Sequence, residues 1–255
     1  MPSKRQRPSP PASAVRLGVP GLDELLGNAL TPGASVALSG PAQSGKTWLA
    51  VQFLLAAVAQ GDSVLYVKVS PRKEPRESLP FAARLTELEQ SGRVTLQSER
   101  LNRPLVPWLS SWLEQAGRDV RVAVEVAASV DELTPREALW LSDAERELAT
   151  RGVTALFSVR APGADPTAIA QLSRLFGDAH ATLALELRSS EWGLERQLLV
   201  AGVRGVSVPS RFHALELTDG GVRLSPDAAV PADDADAELE APLYIGAPPY
   251  LQGAE

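Results

Sequence analysis

Apolar residues along this chain follow two rhythms. Short, nearly continuous runs rich in Val, Leu and Ala occupy Ser35 to Ser39, Ser63 to Val69, Val94 to Ser98, Val120 to Val126, Val153 to Val159 and Ala181 to Leu187. Runs of this length and composition read as strands buried on both faces. Between them the spacing lengthens to the helical period over Gly45 to Gln60, Leu79 to Ser91, Leu105 to Ala116, Pro135 to Thr150 and Pro166 to Phe176. Strands alternating with helices predict an α/β fold, a mostly parallel twisted sheet covered by helices on both faces. Three later segments, Leu194 to Ala201, Phe212 to Thr218 and Val222 to Leu224, follow one another without helices. With Asp219-Gly220-Gly221 as a hairpin turn, they are expected as antiparallel strands at one edge.

No internal repeat interrupts this pattern, and 255 residues suffice for one sizeable core, so a single folded domain is expected. Its boundaries fall at 16 and 226. Residues 1–15 are rich in Pro, Ser and basic side chains. Residues 227–255 begin with an acidic stretch holding Asp227, Asp233, Asp234, Asp236, Glu238 and Glu240. Neither composition buries enough apolar area to offset the entropy of ordering, so both read as flexible tails. Leu243, Tyr244, Ile245, Tyr250 and Leu251 form an apolar-aromatic patch near the end, which reads either as a docking segment for an unidentified protein partner or as a strap folded back onto its own domain.

Composition narrows the chemistry. Cysteine is absent, and the two histidines, His180 and His213, stand far apart. Disulfides and thiolate metal sites are thereby excluded, and a histidine-based metal centre is not suggested. No run approaches the roughly 20 apolar residues of a membrane span, and Met1 to Ser13 lacks the apolar core of a secretory signal, so a cytoplasmic protein without membrane partners is expected. The net charge of −6 and pI of about 5.2 argue against a broadly basic nucleic-acid surface, although a local groove would not show in a total.

The most specific motif is Gly40-Pro41-Ala42-Gln43-Ser44-Gly45-Lys46-Thr47, flanked by the apolar strand Ser35-Val-Ala-Leu-Ser39 and a helical pattern. It matches the phosphate-binding loop G-x-x-x-x-G-K-[ST] in sequence and in context. Consecutive amides and the positive end of the following helix attract phosphate oxygens. Lys46 would then reach the β- and γ-phosphates, and Thr47 Oγ1 would ligate Mg²⁺. ATP and Mg²⁺ are therefore the expected ligands.

Outward from this loop, Arg16-Leu-Gly-Val-Pro-Gly-Leu-Asp-Glu-Leu-Leu-Gly27 and Leu30-Thr-Pro-Gly33 closely resemble the lead-in of the KaiC-like branch of RecA-type ATPases. The resemblance continues through Gln52-Phe-Leu-Leu55, Val64-Leu-Tyr-Val67, Gly152-Val-Thr-Ala-Leu156, Val203-Arg-Gly205 and Leu215-Glu-Leu-Thr-Asp-Gly-Gly-Val-Arg-Leu-Ser-Pro226. It implies a RecA-like fold, Mg-ATP at a subunit boundary and a homo-oligomer, frequently a hexameric ring.

Three positions depart from the family's pattern. Where the family usually shows an aspartate assisting Mg²⁺, this chain has Glu125, with Asp131 or Glu132 as the alternative in a shifted register. Where consecutive glutamates orient and deprotonate the attacking water, it reads Ser70-Pro71, and serine is a poor base at neutral pH. Glu74 is the nearest substitute. Gly202 stands where a lysine often reaches the neighbour's γ-phosphate, while Arg204 is retained. The intact binding elements and eroded turnover elements point to ATP binding with slow or absent hydrolysis, and so to a nucleotide-dependent regulatory or assembly factor. An active Mg-dependent ATPase and a recombinase-like DNA-binding paralogue are the alternatives.

The remaining aromatic, histidine and basic residues read as structure. Trp108 and Trp112, spaced i, i+4, belong to a helical core stripe. Trp48 is expected behind the phosphate loop, His180 at a strand end and His213 in the edge hairpin. Arg72, Lys73 and Arg76 form a small basic cluster in a solvated loop.

Overall fold

The computed structural model describes residues 14–70, 79–117, 119–191 and 193–229. Its elements in chain order are α1 (Leu22–Leu26), β1 (Ser35–Gly40), α2 (Lys46–Gln60), β2 (Ser63–Ser70), α3 (Ala82–Gln90), β3 (Val94–Arg100), α4 (Val106–Ala116), β4 (Val120–Ser129), α5 (Pro135–Thr150), β5 (Thr154–Arg160), α6 (Pro166–Leu175), β6 (Ala181–Ser190), β7 (Gly193–Val203), β8 (Phe212–Thr218) and β9 (Gly221–Ala229). They build one nine-stranded sheet in the order β3-β2-β4-β5-β1-β6-β7-β8-β9. The first six strands pair in parallel, and β7, β8 and β9 are added antiparallel beyond β6.

Two cores lie on opposite faces of the sheet because strand side chains alternate. In β1, Val36 and Leu38 join the core under α2, while Ala37 joins the core formed with α4, α5 and α6. The α2 helix is apolar nearly all round, burying Leu49, Phe53, Leu54 and Val58 among others, as a helix lying against the middle of a sheet requires. Trp108 and Trp112 pack half-buried against the opposite core, as the helical stripe implies. Pro135 begins α5 behind Thr134, whose side chain accepts from the Glu137 amide while Glu137 reaches back to the Thr134 amide. This reciprocal cap fixes the boundary that the sequence marks.

Three local features go beyond the sequence pattern. The short helix α1 carries no periodicity of its own and is held by Asp23, whose carboxylate accepts from the amides of Leu17 at 2.7 Å and Gly18 at 2.9 Å. β4 runs on to Ser129 through an irregularity against β5 after Val126. β9 continues past Leu224 to Ala229, so pairing reaches residues 227–229, where the sequence reads as a tail. At the other boundary Val15 is buried, and its amide donates to Leu30 O.

A buried arginine on β4 ties the lead-in to the sheet. Arg121 pairs with Asp62 at 2.8 Å and donates to Arg16 O and Gln60 Oε1 at 2.9 and 2.7 Å. Its guanidinium also lies 5.7 Å from the centre of the Phe53 ring.

Candidate nucleotide-binding site

The phosphate loop connects the end of β1 to the start of α2. Gly45 stands at φ 107°, a region that L side chains avoid. A Cβ at Gly40 would come within 2.8 Å of Leu185 Cβ and 2.9 Å of Ser44 Oγ, so close packing against β6 requires glycine there. Gln43, at the loop tip, is held at φ 64° without being glycine, and Arg196 on β7 donates from Nε to its carbonyl at 3.3 Å. A residue other than glycine held in this region stores strain, as residues at ligand-binding loops often do.

The Lys46 ammonium donates to the loop's own carbonyls, Gly40 O at 2.8 Å and Pro41 O at 2.6 Å. Burial pushes its pKa down from 10.5 to about 8; Glu125 counteracts the shift, and Arg160 reinforces it. A polyphosphate would give this ammonium anionic partners in place of carbonyls.

Glu125 projects from β4 to the same place. Its Oε1 accepts from Thr47 Oγ1 at 3.2 Å and its Oε2 from the Tyr66 hydroxyl at 3.0 Å. A hydroxyl and a carboxylate that meet beside a phosphate loop suit Mg²⁺, which takes oxygen donors and fills the rest of its shell with water and phosphate. The described residues contain no cluster of three or more His, Cys, Asp or Glu able to hold a metal alone, so Thr47 and Glu125 would hold the ion together with the nucleotide. Asp131 and Glu132 lie outside this site. Past the β4 irregularity they serve as local acceptors, Asp131 from the Ser129 hydroxyl and Glu132 from the Ser129 amide at 3.0 Å.

A cavity of about 820 Å³ opens over these groups. Besides the loop and Glu125, it is lined by Lys68, Arg160 and Arg196, which sequence reasoning missed. Trp48 also lines it, with its ring edge-on to Phe81 at 5.1 Å, rather than lying wholly behind the loop. Ser70, at the end of β2, is buried, and its carbonyl accepts from Leu101 N at 2.8 Å. Pro71, Arg72, Lys73, Glu74 and Arg76 lie outside the described residues, as do Tyr244 and its apolar neighbours.

Arg204 and Gly202 sit at the other end of the sheet. β6 starts at Ala181, beside Val36 near the start of β1, and Ala181 pairs with Val203. Arg204 N donates to His180 O at 2.8 Å and its Nη2 to Gly177 O at 3.2 Å. Arg204 therefore cannot reach its own chain's loop. His180 lies just before β6, its Nδ1 accepting from Ser35 N at 3.3 Å, and His213 is fully buried in β8.

A phosphate loop between the first strand and its helix, in a mostly parallel sheet with antiparallel additions at one edge, defines a RecA-type P-loop protein. The family model for the KaiC ATPase matches residues 15–229, and the chain belongs to that family. Membership carries nucleotide binding of the ATPase type. Among curated relatives, the UPF0273 protein PH0284 of Pyrococcus horikoshii is 26% identical, over 84% of this chain and 94% of its own length. The UPF0273 protein PAE3143 of Pyrobaculum aerophilum is 27% identical, over 89% and 87% respectively. The crystal structure of the KaiC-like protein PH0186 of Pyrococcus horikoshii OT3 superposes with a TM-score of 0.66 at 21% identity, covering 85% of this chain and all of that one. No helix among the described residues is long and apolar enough to cross a membrane.

Proposed function

We propose that this chain binds Mg-ATP at residues 40–47 with Thr47 and Glu125 on the metal side, turns it over slowly, and uses nucleotide occupancy to set its assembly state and its affinity for partners. The carrying observation is the uneven equipment of the cavity. Its binding groups are complete, whereas Glu125 is the one carboxylate lining it among the described residues, and both of its oxygens are engaged by Thr47 and Tyr66. Ser70, at the strand end where the family's base would stand, is buried and offers a hydroxyl. Without a group to take the attacking water's proton, the barrier rises by roughly 3 to 5 kcal/mol.

Assembly enters through Arg204, which lies at the far end of the sheet from its own loop, where it donates to Gly177 O, and which in an oligomer would meet the loop of a second copy. Single-turnover hydrolysis of labelled ATP by excess protein with Mg²⁺ tests the reading. Prolonged retention of ATP is expected, and rapid conversion to ADP overturns it.

One observation favours an active ATPase as the second reading. The stretch carrying Glu74 leaves β2 at Ser70 and rejoins the described chain at Leu79 and Pro80, both of which line the cavity. Glu74→Gln separates the two readings: it abolishes hydrolysis if Glu74 is the base and changes nothing if turnover is intrinsically slow.

A further inference from the structure

Arg160 is the last residue of β5, and the sheet fixes its backbone from both sides. It pairs with Gly40 of β1 and with Ser129 of β4. Its carbonyl accepts from Val130 N at 2.8 Å, and the next amide, Ala161 N, donates to Gly40 O at 3.1 Å. The residue is thus anchored between the strand that feeds the phosphate loop and the strand that carries Glu125. Its side chain is exposed, lines the cavity, and has no carboxylate or carbonyl partner among the described residues. It stands near enough to Lys46 to disfavour that ammonium. Two cations on one wall repel each other until an anion lies between them.

Loop amides hold the inner phosphates of a nucleotide, and the loop lysine and the metal reach the outer ones. The terminal phosphate therefore projects toward Lys46, Thr47 and Glu125, the side on which Arg160 stands. Arg196 is committed to Gln43 O instead.

We propose that Arg160 selects the triphosphate: its guanidinium engages the terminal phosphate of the nucleotide held by the same chain's loop, so the site prefers ATP to ADP. The planar fork of arginine suits a phosphate, which accepts two parallel hydrogen bonds from it. This inference rests on the nucleotide reading above.

Calorimetric titration of the full chain with Mg²⁺ and either ADP or the β,γ-imido analogue of ATP tests it, in wild type, Arg160→Gln and Arg160→Lys. The Gln variant, at an exposed position, should keep the wild-type melting temperature. It should bind the triphosphate analogue about tenfold more weakly and ADP within about twofold of wild type, the Lys variant recovering part of the loss. Equal losses for both nucleotides, or no loss for either, overturn the inference and leave the nucleotide site standing. If wild type binds neither nucleotide, the nucleotide reading fails and this inference with it.

Discussion

The Tyr66 hydroxyl donates to Oε2 of Glu125 at 3.0 Å and so aims the carboxylate's other oxygen at Thr47. Groups that orient a metal-side carboxylate tune the affinity of the ion as strongly as many direct ligands do. Tyr66→Phe keeps the buried ring and removes this donor. ATP affinity in the presence of Mg²⁺ should fall about tenfold, while affinity in EDTA stays unchanged. Titrations with and without the metal, with Glu125→Gln alongside as the larger loss, check this; an equal fall in both conditions would show that Tyr66 shapes the loop instead.

Lys46 makes binding depend on pH. In the free protein its pKa lies near 8, whereas burial is absent in the unfolded chain and the value there is 10.5. A polyphosphate partner raises it again, so between about pH 8 and 10 binding takes up a proton and affinity falls as pH rises, by at most about tenfold per unit. The fall is confined to pH above about 8 as far as this group is concerned. In the same window the unfolded chain holds more protons than the folded one, so this group makes the free protein more stable as pH rises. Calorimetry at pH 9 in two buffers of unlike ionisation enthalpy should detect the proton. Lys46→Ala should bind ATP at least tenfold more weakly and lose the uptake.

Supplying a carboxylate at Ser70 should not restore turnover. Ser70 is 4% exposed, with its carbonyl committed to Leu101, so a glutamate there must be buried or must pull the strand end apart. Ser70→Glu should lower stability by about 2 kcal/mol or more and raise single-turnover hydrolysis less than about tenfold. Denaturant unfolding and labelled-ATP conversion measured on one preparation check both halves.

Arg204→Ala should separate nucleotide binding from assembly. Because Arg204 lies at the far end of the sheet from its own loop, the monomer's ATP affinity should stay within about twofold of wild type. The protein concentration needed for ATP-linked association should rise at least about tenfold. Light scattering with and without Mg-ATP gives the second number. An unchanged monomer in the wild type under both conditions would remove assembly from the proposal altogether.

What the sequence made legible follows from how each signal arises. Strands buried on both faces must be apolar at nearly every position, so β1, β2, β4 and β5 stood out as runs. Glu125 was visible for the same reason, as an acid inside Val-Ala-Val-Glu-Val. Arg121 interrupts that strand too, but nothing in the sequence tells a ring-stacked anchor from a solvated end. Helix α1 was hidden because its five residues are held by Asp23 contacts with the lead-in rather than by a repeating face. Arg160 was hidden more deeply. Only the strand order, with β5 between β4 and β1, and the register that sets Arg160 beside Gly40 bring it to the loop, and neither can be read along the chain.

The placement of Arg204 and the phosphate loop at opposite ends of one sheet gives the proposed assembly a direction. Each molecule has a receiving end and a donating end; joined head to tail they make a heterologous contact that repeats along a row, whereas an antiparallel pair related by a two-fold axis exchanges the contact and completes both sites at once. An open row of such molecules always contains one fewer complete site than it has members, and closure of the row into a ring removes the deficit. A chain without Arg204 would still be received by nothing beyond it yet accept a neighbour at its loop, and would act as a terminator when mixed with intact chains.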